Sequence, residues 1–346
     1  MSQEMKIADV SRLGIDIAKN VFQLHAVDRD GRICLRRRLS RKQLAAFTQQ
    51  LPPCLIGMEA CAGSHYWGRV FEQQGHRVGL MAGQHVKRFA RSTNKDDAID
   101  AEAICEAVGR PDMFFVPIKS EFQLEVQALH RCRQQHSKAV TRLSNQMRGF
   151  LMEHGIVIPK GVSHIPKRIP LILEDADNGL SLGMREIIND LYEQFKTSRQ
   201  RLAELDIRLG DICKSHDTCM RACQVPGIGP VTATALYAAI GKGVQFKNGR
   251  CAAAWLGLVP RHKGTGGKIH NGKMSKRGNR YIKTLAIQGG RSQVLAAARK
   301  HDQRSKAITQ QAQHKGGDIA AVACAHRAIR VAWALMAKDA EYKEAA

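Results

Sequence analysis

The spacing of apolar and polar positions changes repeatedly along the first hundred residues. Arg12 to Ala18 is a short apolar run broken by Asp16, and Val21 to Val27 resumes a strand pattern before the turn Asp28-Arg29-Asp30-Gly31. Ile33 to Leu39 mixes apolar residues with arginines and reads as the hairpin partner. A short helix around Arg41 to Gln50 follows, then a buried strand from Cys54 to Met58 that ends at Glu59. His65 to Gln74 has helical spacing, Arg77 to Met81 is a further strand, and Asp97 to Val108 is a helix rich in Ala, Ile and acidic residues. A hairpin followed by alternating strands and helices predicts an α/β sheet with mixed strand directions.

From Glu121 to His154 and from Arg185 to His216 the period becomes helical. Ile188, Leu191, Phe195, Ser198, Leu202, Leu205, Leu209 and Ile212 recur three and four apart, a heptad pattern with one polar interruption. The two segments are expected to form a coiled-coil arm, either an antiparallel pair within one chain or a dimer interface. Between them Ile156 to Gly183, rich in Pro and Gly, reads as a loop. Beyond Thr218 the chain is expected to be helical and punctuated by glycine. There Gln224-Val225-Pro226-Gly227-Ile228-Gly229 followed by Val231 to Ala239 has the form of a helix-hairpin-helix, with Gly227 and Gly229 presenting backbone N–H groups to a phosphate. A plain helix-helix turn has the same appearance.

Charge sharpens the picture. The 346 residues carry 54 Lys plus Arg against 31 Asp plus Glu, a formal charge of +23. From Thr218 to His301 there is no acidic residue, while Lys and Arg occur fifteen times. Such a run would repel itself unless it met a polyanion, and nucleic acid is the expected one. No uninterrupted apolar run reaches the roughly 18 residues of a membrane span, and the N-terminus lacks a signal-peptide core. An intracellular protein without a membrane partner is expected. Cys34, Cys61, Cys105, Cys251 and Cys324 fall in apparent core segments and are expected to be buried free thiols. Cys213, His216, Cys219 and Cys223 cluster, but their spacing matches no zinc template well.

Four carboxylates carry candidate chemistry. Asp16 interrupts an apolar strand, where an unpaired carboxylate is costly. Glu59 closes another strand, and Asp97 and Asp100 share one face of a helix. If the strands are neighbours and the helix packs across their ends, the four meet. Phosphoryl transfer on nucleic acid uses two hard cations about 4 Å apart, which need several carboxylates. Asp96 and Glu102 read as bystanders. Taken singly, Gly-Ile-Asp-Ile-Ala also suits the phosphate loop of an actin-like kinase, and Asp97 with Asp100 suits a solvated first turn.

The runs Gly14-Ile15-Asp16-Ile17-Ala18-Lys19, Met58-Glu59-Ala60-Cys61-Ala62-Gly63, Asn94-Lys95-Asp96-Asp97-Ala98-Ile99-Asp100-Ala101 and Val225-Pro226-Gly227-Ile228-Gly229 occur in this order. With them the chain resembles the DEDD transposases of insertion sequences, relatives of the Piv DNA invertases, over nearly its whole length. The resemblance implies a RuvC-like ribonuclease H fold over 1–118, a coiled-coil linker over 119–217 and a mostly α transposase domain over 218–346. It implies Asp16, Glu59, Asp97 and Asp100 as the acidic set, holding two magnesium ions for which manganese can substitute. It further implies a structured noncoding guide RNA pairing with donor and target DNA. The coiled coil suits a dimer or tetramer, expected in the bacterial cytoplasm and associated with the nucleoid.

The resemblance also implies a serine nucleophile that becomes joined to DNA. The matching segment, Gly257 to Lys268, carries Thr265 at that place. A threonine hydroxyl can attack phosphorus, although its methyl group crowds the nucleophile. The nearest serine, Ser275, belongs to a different motif, and Gly264 to Lys268 is no Walker loop because neither Ser nor Thr follows Lys268. Arg261, Lys263, Lys268, Lys276, Arg277 and Arg280 are candidate phosphate clamps around this segment, the last three as general backbone contacts. The terminal helix near Ala320 to Met336 reads as packing with a basic face. The sequence leaves two rivals to a DNA recombinase: a hydrolytic nuclease of Holliday-junction type, and a binding protein whose threonine-bearing site is stalled.

Overall fold

The computed structural model describes residues 7–89, 97–265 and 268–343, and the chain divides into two compact units, 1–120 and 121–346. The side chains of Asp97, Lys263, Thr265 and Lys268 lie outside the described part, as does all of Asp96.

In the first unit the order is β1 (Arg12–Ile17), β2 (Val21–Val27), β3 (Ile33–Ser40), α1 (Arg41–Gln49), β4 (Leu55–Glu59), α2 (Ser64–Gln73), β5 (Arg77–Met81), α3 (Gly83–Val86), α4 (Asp97–Val108) and β6 (Phe115–Val116). The sheet runs β3-β2-β1-β4-β5-β6, with β1, β4 and β5 parallel and the other neighbouring pairs antiparallel. This mixed sheet is the arrangement the alternating pattern predicts. One face carries Leu13, Ile15, Phe22, Leu24 and Met58 packed with Leu44 of α1 and Trp67 and Phe71 of α2. Each such large side chain, fully buried, contributes roughly 1.5–3 kcal/mol.

The opposite face receives α4. Gly14, Gly57 and Gly79 oppose one another across β1, β4 and β5. A Cβ on Gly14 would lie 2.3 Å from the Ala101 carbonyl oxygen, and one on Gly57 would lie 2.7 Å from the Val108 Cβ. Side chains alternate along a strand, so Asp16, two residues beyond Gly14, and Glu59, two beyond Gly57, share this α4-facing side. The glycine row therefore sets how closely α4 approaches the carboxylate strands.

The second unit comprises α5 (Glu121–Met152), α6 (Ile165–Glu174), α7 (Leu182–Ser215), α8 (Asp217–Cys223), α9 (Pro230–Ile240), α10 (Gly249–Trp255), β7 (Pro260–Thr265), β8 (Lys268–Met274), α11 (Arg280–Ala297), α12 (Gln303–Lys315) and α13 (Gly317–Lys338). Helices α5 and α7 run antiparallel. Val126 and Leu129 cluster with Leu209, whereas Val140, Leu143 and Met147 cluster with Ile188 and Phe195. The apolar stripe on α7 is thus spent against α5 of the same chain, and Arg133 on α5 pairs with Asp206 on α7. Helix α13 is long and apolar enough by composition to cross a membrane, yet Ala325, Ala328, Ile329, Ala332 and Leu335 are buried in the core of this unit. Its Trp333 Nε1–H donates to the Gly243 carbonyl, while Arg327 and Arg330 are exposed.

Three expectations are corrected. The segment 156–183, read as loop from its prolines, contains α6, because Ile165 and Ile169 are fully buried and Ile172 and Leu173 pack beside them. Pro166 falls where a helix has no N–H partner to lose, and tertiary packing outweighs the break at Pro170. Beyond Thr218 the chain is not helical throughout, since β7 and β8 form an antiparallel ribbon. Its sequence lacks apolar alternation because the described side chains of the ribbon are largely exposed. Of the expected buried thiols, Cys105 and Cys324 are buried, Cys34 is half-buried, and Cys61 and Cys251 are exposed.

Candidate active site

Asp16 and Glu59 lie at the C-terminal ends of the neighbouring strands β1 and β4. In the parallel ladder Ile15 opposes Met58, so Asp16 and Glu59 follow as the next pair of neighbours. Both are half-buried. Asp97 opens α4 and Asp100 follows one turn later, exposed. The backbone beyond Glu59 turns sharply: Ala60 N–H donates to the Met81 carbonyl, and Gly63, at φ 89°, caps α2. Gly83 presses from above, since a Cβ there would lie 3.0 Å from Glu59 Oε1.

Burial, then the charge of Asp100, push the Glu59 carboxyl above its usual range, and Lys87 only partly offsets them. The exposed thiol of Cys61 is raised by desolvation and by the charges of Glu59 and Asp16. Like charges held together in a half-buried site, all with oxygen donors, are the chemistry a hard divalent cation relieves. Among the described residues no three acidic, histidine or cysteine side chains lie close enough together to chelate an ion. The oxygen donors fit a hard divalent cation in kind, and one of them, Asp97, has its side chain outside the described part. Glu102 is engaged by Arg36 at 3.3 Å.

In the second unit Thr265 ends β7, opposite Lys268 at the far end of the ribbon, and Ser275 lies at its base, where its N–H donates to the Val259 carbonyl. The structure thus separates the two hydroxyl residues by the length of β8. Arg261, Lys276, Arg277 and Arg280 are exposed around the ribbon and its base. Residues outside the sequence-derived set hold that base. The buried ammonium of Lys283 donates to the Ser275 carbonyl at 2.9 Å and to the Arg277 carbonyl at 2.7 Å, and desolvation lowers its pKa. Gly257 at φ 71° and Gly278 at φ 88° meet the opposing backbone too closely for any Cβ. A lone lysine in a basic run carries no sequence signal that it is buried.

Helices α8 and α9 flank a turn in which Gly227 has φ 85°. A Cβ on Gly227 would strike Gln293 and the Gly289 carbonyl of α11, so this glycine permits close helix packing, while Gly229 faces open space. His130 of α5 bridges Tyr281 of α11 (3.1 Å) and Thr234 of α9 (3.0 Å). Cys213 and Cys223 have Sγ atoms 3.1 Å apart beside Cys219.

Comparison with known proteins accords with both units. A model of the DEDD transposase domain of IS110 type, described as a transposase, matches residues 13–156, which include all four carboxylates. A second, described as the transposase IS116/IS110/IS902 family, matches residues 219–307, which include Thr265 and Lys283. The chain is 40% identical over 336 residues to a probable family 20 transposase of Pseudomonas aeruginosa, covering 97% of this chain and 99% of that one. It is 35% identical to the transposase for insertion sequence element IS1111A of Coxiella burnetii, over 97% of this chain and 92% of the relative. It is also 35% identical to the transposase for insertion sequence element IS1328 of Yersinia enterocolitica, over 94% and 96%. With a sheet that brings Asp16, Glu59 and α4 together and similarity along nearly its whole length, the chain belongs to the IS116/IS110/IS902 family of insertion-sequence transposases.

Proposed function

We propose that the chain cuts and rejoins DNA by metal-dependent phosphoryl transfer through a covalent protein–DNA intermediate. The observation that carries this is the adjacency of Asp16 and Glu59 at the ends of neighbouring parallel strands, with Asp100 of α4 near enough to raise the Glu59 carboxyl. Asp16, Glu59, Asp97 and Asp100 would hold two magnesium ions, or manganese in their place, and the ions would supply positive charge to stabilise a phosphoryl-transfer transition state. The Thr265 hydroxyl attacks phosphorus, so that one P–O bond forms as the bond to the departing strand breaks, and the hydroxyl proton ends on the departing oxygen. A second exchange, by a hydroxyl of the new strand, releases Thr265 and joins the ends.

Arg261, Lys263, Lys268, Lys276, Arg277 and Arg280 hold backbone phosphates beside Thr265, and the turn at Gly227 and Gly229 offers N–H groups to another. The excess of positive charge accommodates donor DNA, target DNA and a structured guide RNA on one protein. The protein acts as a dimer or tetramer, in the bacterial cytoplasm and at the nucleoid. The 1–118, 119–217 and 218–346 segments serve as catalytic, linking and DNA-joining parts.

The test is incubation of the purified protein with its co-expressed RNA, magnesium and labelled donor and target duplexes, followed by denaturing electrophoresis. A protein–DNA adduct that is present with Thr265→Ser and absent with Thr265→Ala is expected. Nicked strands without any adduct would instead favour the hydrolytic nuclease, in which the carboxylates activate water. Intact DNA despite tight binding would favour a stalled site.

A further inference from the structure

Strand β3 carries three consecutive exposed arginines, Arg36, Arg37 and Arg38, and Arg41 and Lys42 follow at the start of α1. None belongs to the carboxylate chemistry described above. Strand register decides where they point. Gln23 opposes Asp16 in one ladder and Arg38 in the next, so Arg38 stands two strands from Asp16. That is roughly 10 Å at normal strand spacing, and the alternation puts Arg38 on the same α4-facing side. Arg36, one pleat back on that side, is held by Glu102. Arg38 has no carboxylate partner among the described residues.

The end of β3 lies at the same end of the sheet as Asp16 and Glu59, and α1 and α2 start there on the opposite face, so a strand running from Arg38 to Tyr66 crosses the sheet end. Arg41 N–H donates to the Asn20 carbonyl at 3.0 Å. Its guanidinium lies 5.7 Å from the ring centre of Tyr66 and 5.4 Å from that of Trp67. Trp67 is buried, with its Nε1 lacking an acceptor among the described residues, whereas Tyr66 is 49% exposed and stands edge-on to Trp67 at 5.2 Å. A half-exposed aromatic ring braced by a second ring, with a cation against it, offers a nucleobase a surface to stack on. Stacking on an open ring tolerates any base, and the neighbouring arginines supply the charge a phosphate backbone requires. An acidic peptide would use the arginines and leave the ring without a role.

We propose that β3 and the starts of α1 and α2 form a DNA track beside the carboxylates, in which Arg38 takes a backbone phosphate next to the reacting one and the Tyr66–Arg41 pair stacks an unpaired base of the same strand. The inference rests on the carboxylate set acting on DNA. It adds a contact in the first unit to the basic residues of the second, and it gives the reacting strand a fixed direction across the sheet end. Arg38 and Tyr66 act here as positioning residues, since neither contacts the reacting atoms.

The test uses the full-length protein in EDTA, so that binding is read without turnover. The probe is a donor-end duplex with a short single-stranded extension carrying 2-aminopurine. Binding is expected to quench its fluorescence. Tyr66→Leu should relieve the quench and weaken binding roughly 5- to 150-fold, the range for loss of one stacked base, while Tyr66→Phe keeps both. Arg38→Ala should leave the quench and lower the slope of log K against log salt by about 0.7 to 0.9, one phosphate contact. Melting curves on each variant separate these effects from unfolding. An unchanged quench in a folded Tyr66→Leu, with an unchanged salt slope in Arg38→Ala, would overturn the track. Preference for an all-RNA version of the probe would overturn its assignment to DNA. If the track fails while Asp16→Asn still abolishes magnesium-dependent cleavage, the carboxylate function stands without it.

Discussion

Gly14 and Gly57 face each other across the parallel strands β1 and β4, each two residues ahead of an acidic residue and each too close to α4 to carry a Cβ. The pair couples the depth at which α4 packs to the separation of Asp16 and Glu59 from Asp100. Gly14→Ala would push its methyl group against the Ala101 carbonyl and the Cys105 backbone N–H, which cannot swing aside as a side chain would. A loss of roughly 1–3 kcal/mol in stability is expected. DNA cleavage should fall further than the melting temperature accounts for, because the displaced helix takes Asp97 and Asp100 with it. Cleavage rates at a temperature where the variant is folded check this.

Glu59 makes stability respond to pH and metal together. Its folded pKa is raised above the unfolded value, so its favourable contribution is present below the unfolded pKa and is lost as pH rises through the folded one. At neutral pH the ionised group is therefore a liability in the metal-free protein. Glu59→Gln should raise the melting temperature at pH 7 without metal and leave it unchanged near pH 3. Magnesium should stabilise the wild type more than the variant. Melting scans with and without magnesium measure both effects.

His130 is buried between Tyr281 and Thr234, and desolvation lowers its pKa from 6.5 to about 4. The Thr234 hydroxyl donates to the Pro230 carbonyl, so His130 Nε2–H donates to Thr234 and Nδ1 accepts from Tyr281. Only the neutral ring satisfies this network. Because the unfolded ring binds its proton at higher pH, stability is complete above pH 6.5 and is lost as pH falls toward 4. The loss amounts to at most on the order of 3 kcal/mol. Acid titration of the unfolding free energy should show a shallower slope in that window for His130→Gln.

Lys283 donates to two carbonyls at the base of the β7–β8 ribbon. Lys283→Met would keep the buried stem and leave both acceptors unpaired, at about 1–3 kcal/mol for each group. The variant is expected to lose DNA joining while retaining magnesium binding, because the carboxylates belong to the other unit. Calorimetric magnesium titration beside a joining assay distinguishes the two.

Much of the first unit was legible because its strands alternate or run apolar and its acidic residues sit at strand ends, as in Ile15-Asp16 and Met58-Glu59. The antiparallel helices α5 and α7 were legible in the spacing from Ile188 to Ile212, although the sequence left their partner open and α5 of the same chain fills it. Helix α6 was hidden by its prolines, whose local cost is outweighed by the burial of Ile165 and Ile169. The ribbon was hidden because its polar residues have no core to alternate against. Gly14, Gly57 and Gly79 were present as Gly-x-Asp, Gly-x-Glu and an isolated strand glycine, but only strand register shows that they form a row.

The most direct measurement is magnesium-dependent cleavage of labelled donor-end DNA by the wild type and by Asp16→Asn, Glu59→Gln, Asp97→Asn and Asp100→Asn, with DNA affinity measured on the same samples. Each variant should bind DNA as the wild type does and cleave it about 100-fold or more slowly, as expected when a group that stabilises transition-state charge is removed. Cleavage at the wild-type rate by Asp16→Asn or Glu59→Gln would contradict a reaction centred on the ends of β1 and β4.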